Sequence, residues 1–589
     1  MEPILSGTLR NLVVLIQWKD HKDRVLPSPE ELDVLMNHEG PHALCPSGSV
    51  RDVYLENSQG ALDLQSVITP WILVDNTEAY YANGDSGMNK VIRNAIKYAL
   101  TYLDDHNMVD FDYFDQDNSG KIDAITLLHS GYAAEFGGTD SNGQFYENRI
   151  WSHKWGLYDG SWYSKSGVQV RDYHISPALW GTSGSGIGRI GVISHELGHF
   201  LGLPDLYDKN GGGRGIGSYG LMCNSWGWDG SQYYPPHLSA WAKWKLGWVE
   251  AIEPKEGTNL IEAIQHESPI MPQMYIIREG FPEREFLLIE NRQRIGYDKQ
   301  MAQGGILIWH IDEGNGGNDF RDSLSREGYP GQAGWPENGN HYGVALLQAD
   351  GFYELEKGHN QGDYEDVFHE MGVDELIPCQ DPDDCQYPNT DSYLDGVIAR
   401  SNVWITHISS TNKFMSFQYH HGGEKVTDSP SVAPSSAPTD PDLFGCGPNQ
   451  VHLEVEFMTD GYPLDNKWTL VNVNTGKEVA AVTYELGRHK YFYDACLEEA
   501  QLFKWELYDD WGDALCCEYG EGYYTIRLDG IDTFEGSQNF KGTKWVSHQF
   551  STGTTEAPSM FPTVMPSQSP SEAPSSPPSS APSLCTCTR

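Results

Sequence analysis

Apolar positions along this chain change period several times, and each change marks an element. Leu12 to Trp18 holds the unbroken run Val13-Val14-Leu15-Ile16, which reads as a strand buried on both faces. Met88, Val91, Ile92, Ala95, Ile96, Ala99, Leu100 and Leu103 recur at helical spacing and predict an amphipathic helix over 88–104. Ile122 to His129 predicts a second strand, Ile187 to Leu201 a second helix, and Pro236 to Leu246 a third. Past Gly247 the helical period disappears. Short runs at Met274 to Ile277, Glu285 to Glu290, Gly305 to Ile311, Val344 to Gln348 and Phe414 to Tyr419 predict strands instead.

Residues 422–445 are rich in Ser, Pro and Gly and cannot bury a core, so they read as an extended linker. Residues 446–552 carry short aromatic and β-branched runs broken by Asp/Gly turns, a β-sandwich pattern. From 553 to 589 Ser/Pro repeats return as a solvated tail. The expected division is therefore 1–421, linker 422–445, module 446–552 and tail 553–589, with 1–421 divided near residue 250 into a helix-bearing part (about 8–250) and a β-rich part (251–421).

The 589 residues exceed one core, which agrees with that division. A net charge of -44 repels nucleic acid and anionic lipid and disfavours both as partners. No run is long and apolar enough to span a membrane. Ten cysteines without a C-x-x-C pair fit disulfides in an oxidising compartment. Cys379 and Cys385 bracket a short Asp/Pro-rich loop and are expected to bridge. The N-terminus has no basic stretch followed by a long apolar one, so a fragment lacking its signal and any pro-segment is preferred over unconventional export.

The chemistry concentrates at His195-Glu196-Leu197-Gly198-His199-Phe200-Leu201-Gly202-Leu203-Pro204-Asp205. On a helix, residues i and i+4 share a face, so His195 and His199 can offer two imidazoles to one ion. Glu196 stands one step from the first ligand, where it can take a proton from a water on that ion. Gly202 lets the backbone leave the helix, and Asp205 can return as a third ligand, with Asp208 its nearest rival. Three protein ligands and an open position are what catalytic zinc needs. The blander reading is a chance pattern on an ordinary helix; with Gly and Asp at these offsets its frequency is on the order of one in a few thousand.

Asp115-Gln116-Asp117-Asn118-Ser119-Gly120-Lys121-Ile122-Asp123 alternates oxygen donors with Gly at the sixth place, like the first nine residues of an EF-hand loop. Asp115, Asp117, Ser119, the Lys121 carbonyl and Asp123 would bind calcium. Thr126 occupies the twelfth place, where a bidentate Glu is usual, and the competing reading is a polar turn feeding a strand. The run Gly362-Asp363-Tyr364-Glu365-Asp366 is a second acidic segment, weighed evenly against an exposed loop.

Together these segments resemble the immune inhibitor A family of secreted metalloproteases. The likeness rests on HELGHFLGLPDLYD at 195–208, the turn Gly217 to Gly227 around Met222, PPHLSAWAKWKLGW at 235–248 and SVRDVYLENSQGALDL at 49–64. It continues through DQDNSGKID with HSGYAAEFGG at 115–138, FLLIENRQ at 286–293 and GGILIWHIDE at 304–313. The resemblance implies an α+β zincin-type fold: a mixed sheet, a backing helix above the cleft and the active-site helix below it. It also implies Met222 as an apolar floor beneath the metal, and calcium as a structural ion. Cys223 inside that turn departs from the family pattern and suggests a disulfide to Cys45. The C-terminal unit is similar to a cysteine-containing β module of secreted algal and diatom proteins. The residues that carry this likeness are Thr459-Asp460-Gly461-Tyr462-Pro463, Trp468, Cys496 and Asp510 to Cys517. Its cysteines Cys446, Cys496, Cys516 and Cys517 would form two bridges.

The sequence thus reads as a secreted zinc endopeptidase acting on proteins or peptides through a metal-activated water, with Glu196 as general base. The strand ending near His129, with Gly131 to Gly138, is expected to offer substrate an edge, and Tyr219 or Tyr234 to steady the oxyanion. The C-terminal module would bind cell wall, matrix or another protein. The competing class is a catalytically silent secreted adhesive or binding protein on a protease fold; its intact His195, Glu196 and His199 weigh against that. A zinc amidase is a third reading. Cleavage preference, physiological target and activation step are not encoded in these patterns.

Overall fold

β1 (Gly7–Gln17) divides its side chains between two cores, as its unbroken apolar run requires. Leu9, Val13 and Leu15 enter one, and Leu12, Val14 and Ile16 the other. The computed structural model that places them describes residues 4–157, 160–265, 269, 271–314, 327–380, 385–393, 396–422, 450–460, 466–483, 490–509, 515, 522–528, 531–536 and 545–552. Residues 423–445 of the linker, the tail, Cys446, Cys516 and Cys517 lie outside those residues.

After β1 come α1 (Pro29–Asn37), α2 (Val50–Asn57), β2 (Leu62–Leu73), α3 (Glu78–Ala82), α4 (Ile92–Asp105) and β3 (Ala124–Tyr132). β4 (His153–Gly156), the short ribbon β5 (Trp162–Tyr163) and β6 (Gln169–Val170), β7 (Asp172–Leu179), α5 (Ile190–Gly198) and α6 (Ala240–Lys245) follow. The main sheet has the order β2-β1-β3-β7-β4. Its first four strands run parallel, and β4 runs antiparallel to β7. α4 covers one face with Ile92, Ile96, Ala99, Leu100 and Leu103. The other face packs against α1, α2 and α5, through Leu35, Val53, Ile193 and Leu197 among others. This is the layered α+β arrangement expected, with a helix behind the sheet and the helix of the His-Glu motif in front.

Boundaries shift where tertiary contacts override the pattern. α4 begins at Ile92 rather than near Met88, because Asn89 Oδ1 accepts the Val91 N–H at 2.8 Å while its amide donates to the Ala82 carbonyl at 2.9 Å. α6 begins at Ala240: Ser239 is its N-cap and accepts the Ala242 N–H. α5 begins at Ile190, since Gly188 still donates to the Ala178 carbonyl at the end of β7.

The strands expected after Gly247 are present. β8 (Gly257–Glu262), β9 (Met274–Ile277), β10 (Glu285–Arg292), β11 (Gly305–Asp312), β12 (Val344–Leu346), β13 (Val403–Thr406) and β14 (Phe414–His421) form two antiparallel sheets, β12-β11-β10-β9 and β13-β14-β8. One face of β10 and β11 encloses a second core with β8 and β14, built on Leu287, Ile289, Ile306, Ile308, Ile261 and Phe417. The opposite face sends Phe286, Leu288, Leu307 and Trp309 into the same core that holds α5. The β-rich part is therefore packed into the helix-bearing part, and the two share one compact unit, 1–430. Buried Arg292 ties them further, donating to the carbonyls of Tyr219 and Leu238 beside Glu290.

Residues 431–589 form a second unit. In it β15 (Gln450–Met458), β16 (Asn466–Asn472), β17 (Lys477–Thr483), β18 (Lys490–Glu498), β19 (Leu502–Asp509), β20 (Tyr523–Leu528), β21 (Ile531–Gly536) and β22 (Trp545–Ser551) make two four-stranded sheets, β18-β15-β20-β21 and β17-β16-β19-β22. Leu453, Val455 and Tyr524 of one sheet and Trp468, Trp505 and Phe550 of the other share one core.

Candidate metal centre and active site

α5 is buried nearly all round, so its position is set by packing rather than by caps. Gly191 lies against the 225–232 loop, its N–H donating to the Gln232 carbonyl. At the other end Gly198 is the close approach: a Cβ there would come within 2.5 Å of Met222 Sδ. Met222, 1 % exposed, thus lies under the last turn of α5. His199 opens a single 3-10 turn to Leu201, and Gly202 ends it with φ 87°, the left-handed conformation that lets the chain reverse.

The reversal returns Asp205 to the helix. Its Oδ1 lies 3.2 Å from Nε2 of His195 and 3.2 Å from Nε2 of His199, with the rings at 86° to each other. That Oδ1 is buried and has no hydrogen-bond partner of good geometry, while Oδ2 faces Lys209 at 3.4 Å. His195 Nδ1 sits 2.9 Å from the Leu221 carbonyl and His199 Nδ1 2.7 Å from the Leu203 carbonyl. A carbonyl only accepts, so both Nδ1 atoms carry the proton and both Nε2 lone pairs point inward. Burial works against the charge on Asp205, yet the two imidazoles beside it hold its carboxyl well below the usual carboxylate range. Two imidazole nitrogens and one carboxylate oxygen converging on one point are a donor set that fits zinc. Asp208 is engaged elsewhere, accepting from Asn210 and Gly213 N–H groups and from the Tyr342 hydroxyl.

Glu196 is 7 % exposed, and burial raises its pKa. The Lys154 backbone N–H, on β4, lies close enough to oppose that rise. Two neighbours escaped the sequence reading. Glu135 is a second, half-buried carboxylate close enough to repel Glu196, held by the Ser152 hydroxyl at 2.6 Å. Tyr207 stacks on His195, with centroids 6.3 Å apart; burial, then the charge of the nearby Asp205, pushes its pKa up. Tyr207 sits two residues past Asp205, which is the signal that could have found it.

Several expectations need correction. Tyr219 is fully buried and its hydroxyl is committed to the Asp363 carbonyl and to Asp366, so it is unavailable to an oxyanion. Tyr234 lies under Lys299, 4.1 Å from its ring centroid, a contact that leaves the role expected of its hydroxyl undecided. β3 is a central strand between β1 and β7, hydrogen-bonded on both sides; the edge beside α5 is β4. Cys45 and Cys223 are both free, each thiol directed at a backbone carbonyl, so the bridge between them is not formed. Cys379 and Cys385 are bridged as expected. Cys496 is disulfide-bonded.

In the Asp115 to Asp123 loop the carboxylates are occupied by the loop's own N–H groups. Asp115 accepts from Gly120, Asp117 from Ser119 and Asp123 from Gln116. Among the described residues, three groups of acidic, His or Cys side chains bring their ligand atoms within 4.8 Å of one another. They are His195, His199 and Asp205; Cys379, Cys385 and Asp391; and Asp350, Glu354 and Asp363. The calcium expected in the 115–123 loop draws no support from this geometry.

Residues 37–249 match the family model of the immune inhibitor A peptidase M6 catalytic domain. The chain is 26 % identical over 246 residues to Immune inhibitor A of Bacillus thuringiensis subsp. alesti, covering 35 % of this chain and 34 % of that protein. It is 29 % identical over 253 residues to the pre-pro-metalloprotease PrtV of Vibrio cholerae serotype O1, strain M66-2, covering 38 % and 26 %. The chain thus spans about a third or less of the length of the curated relatives it matches. No helix among the described residues is long and apolar enough to cross a membrane.

Proposed function

We propose that this chain is a secreted zinc-dependent endopeptidase. The observation that carries the reading is the convergence of His195 Nε2, His199 Nε2 and Asp205 Oδ1 beside the buried carboxylate of Glu196. The peptidase M6 match over 37–249 and the metalloprotease among the relatives support the same reading.

Zinc at this point supplies a Lewis acid that makes a water acidic near neutral pH and polarises the scissile carbonyl. Glu196 accepts the proton at its carboxylate and hands it to the leaving amine; its burial favours holding that proton in transit. The nearby Lys154 N–H favours the charged form of that carboxylate. Tyr207, kept protonated by its raised pKa, is placed beside Asp205 to donate to the developing oxyanion. β4 ends the sheet, and its outer row of backbone groups takes an extended peptide as an added strand. The C-terminal unit locates the enzyme on cell wall, matrix or a partner protein.

The test is casein cleavage by the purified full chain, with zinc quantified. Activity should vanish on chelation and return with zinc. A chain that binds zinc but leaves casein and a peptide library intact would favour the silent binding protein instead.

A further inference from the structure

Beside the motif helix lies a pocket that the metal centre does not use. Val192 of α5 forms one side of it, Leu179 at the end of β7 another, and Glu135 and Phe136 a third. Val192 precedes His195 by three residues and Glu196 by four, so the pocket lies one helical turn from a ligand and the base. Glu135 is near enough to Glu196 for the two charges to repel. The edge strand relates both carboxylates to a bound peptide. Ser152, immediately before β4, donates its hydroxyl to Glu135, and the Lys154 N–H, two residues on, lies near Glu196. Two residues of strand span about 6.6 Å, so a peptide paired along β4 carries a side chain next to its scissile bond past Glu135.

Glu135 carries the charge in this pocket that is left over. Its carboxylate accepts from the Ser152 hydroxyl at 2.6 Å and from the Ser152 N–H at 3.3 Å, and among the described residues no Lys, Arg or His forms an ion pair with it. Arg189 lines the same pocket but is committed elsewhere. Its guanidinium lies 3.7 Å from the Trp180 ring centroid and 4.1 Å from that of Tyr233, and it donates to the Ser231 carbonyl. Burial pushes the Glu135 carboxyl up, the Ser152 hydrogen bonds oppose this, and the charge of Glu196 adds to the rise. A cation entering the pocket would supply the missing counter-charge. Its stem would pack on Phe136, whose ring meets Trp180 at right angles with 4.9 Å between centroids. An anionic side chain would instead face two carboxylates. The net charge of -44 works to the same end by drawing basic substrates from a distance.

We propose that Glu135 selects a lysine or arginine side chain next to the scissile bond. This rests on the endopeptidase reading and names its substrate class. The ammonium or guanidinium ends on the Glu135 carboxylate, which Ser152 holds, and the apolar stem lies among Val192, Leu179 and Phe136. Glu135 touches the substrate rather than the metal. It sets which bond is cut, while Glu196 handles the proton.

The test compares peptides that differ only in charge at the residues flanking the scissile bond. One carries lysine there, the other Nε-acetyl-lysine, which keeps the stem and loses the cation. The full, zinc-loaded chain should cleave the lysine peptide with a kcat/KM at least about tenfold above that of the acetyl-lysine peptide. Glu135→Gln should bring this ratio near one, and Glu135→Asp, which keeps the charge, should retain part of it. Because the ratio is taken within one enzyme, any general loss of rate transmitted through Glu196 cancels. Val192→Lys, which puts a cation of the chain's own into the pocket, should also remove the preference and serves if Glu135→Gln does not fold. A parent indifferent to acetylation would overturn the proposal. So would a preference that Glu135→Gln retains, since it would then belong to the overall negative charge. If neither peptide nor casein is cleaved, the endopeptidase reading fails by itself, and the same peptides are scored by binding to the zinc-loaded Glu196→Gln chain with and without Glu135→Gln. Equal binding of the lysine and acetyl-lysine peptides there would overturn the selection independently of turnover.

Discussion

Two glycines on α5 should respond to alanine in opposite ways, and the contrast tests how the motif helix is seated. Helix propensity alone favours both substitutions by up to about 1 kcal/mol. At Gly191 a new Cβ would meet the Ser225 carbonyl oxygen, Gln232 Cβ at 2.9 Å and Gln232 Cα at 3.2 Å. Two of these are backbone atoms that cannot rotate away, so the loop or the helix must shift. Overpacking of this kind costs about 1–3 kcal/mol, and more where backbone must move. The net loss for Gly191→Ala should be about 1–2 kcal/mol, a fall of about 1–2 °C in the melting midpoint of a unit of this size. At Gly198 the obstacle at 2.5 Å is Met222 Sδ, the far part of a flexible side chain, and its methyl lies at 3.3 Å. Gly198→Ala should change stability by less than about 1 kcal/mol. It displaces Met222 beneath His195 and His199, however, so proteolysis should fall more than stability does. Differential scanning calorimetry and peptide cleavage on the two variants decide the matter. A Gly191→Ala protein as stable as the parent would show that α5 is not pressed on the 225–232 loop, and the packing argument would fail.

Asp205→Ala should lower zinc affinity by at least about 10–100-fold, and metal content unchanged in that variant would move the third ligand elsewhere. In calcium-free buffer the raised pKa of Asp366 has a defined sign. Its folded value of about 8 exceeds an unfolded value near 3.9, so its contribution is complete below about pH 4 and is lost as pH rises through about 8. The parent should therefore lose more melting temperature between about pH 5 and pH 8 than Asp366→Asn does, and parallel profiles would contradict this. Residues 1–421 alone should fold, bind zinc and cleave a soluble peptide as well as the full chain. Loss of cleavage by a cooperatively melting truncation would place part of the site in the second unit.

What the sequence made legible is what lies close together along the chain. The run Val13 to Ile16 announces a doubly buried strand because each neighbouring pair faces a separate core. His195, Glu196, His199, Gly202 and Asp205 are legible because one helical turn and one left-handed glycine bring them together without help from the rest of the fold. What topology decides was not legible. β3 and β4 differ in edge status only through the order β2-β1-β3-β7-β4, and the four residues of β4 carry no distinctive alternation. Tyr219 looked free to serve catalysis because its partners Asp363 and Asp366 lie 144 and 147 residues away. The 115–123 loop has the spacing of a calcium loop, and its carboxylates accept from the loop's own N–H groups, an arrangement a polar turn shares, so the geometry does not separate the two readings.

The central claim is the division of labour between three ligands and one base. Glu196→Gln tests it most directly, in the purified full chain assayed for zinc content and for cleavage of casein and a soluble peptide. Glu196 lies beside the converging ligand atoms but is not one of them, so the variant should retain one equivalent of zinc and lose proteolysis. Cleavage at near the parent rate, or loss of zinc together with activity, would contradict the account.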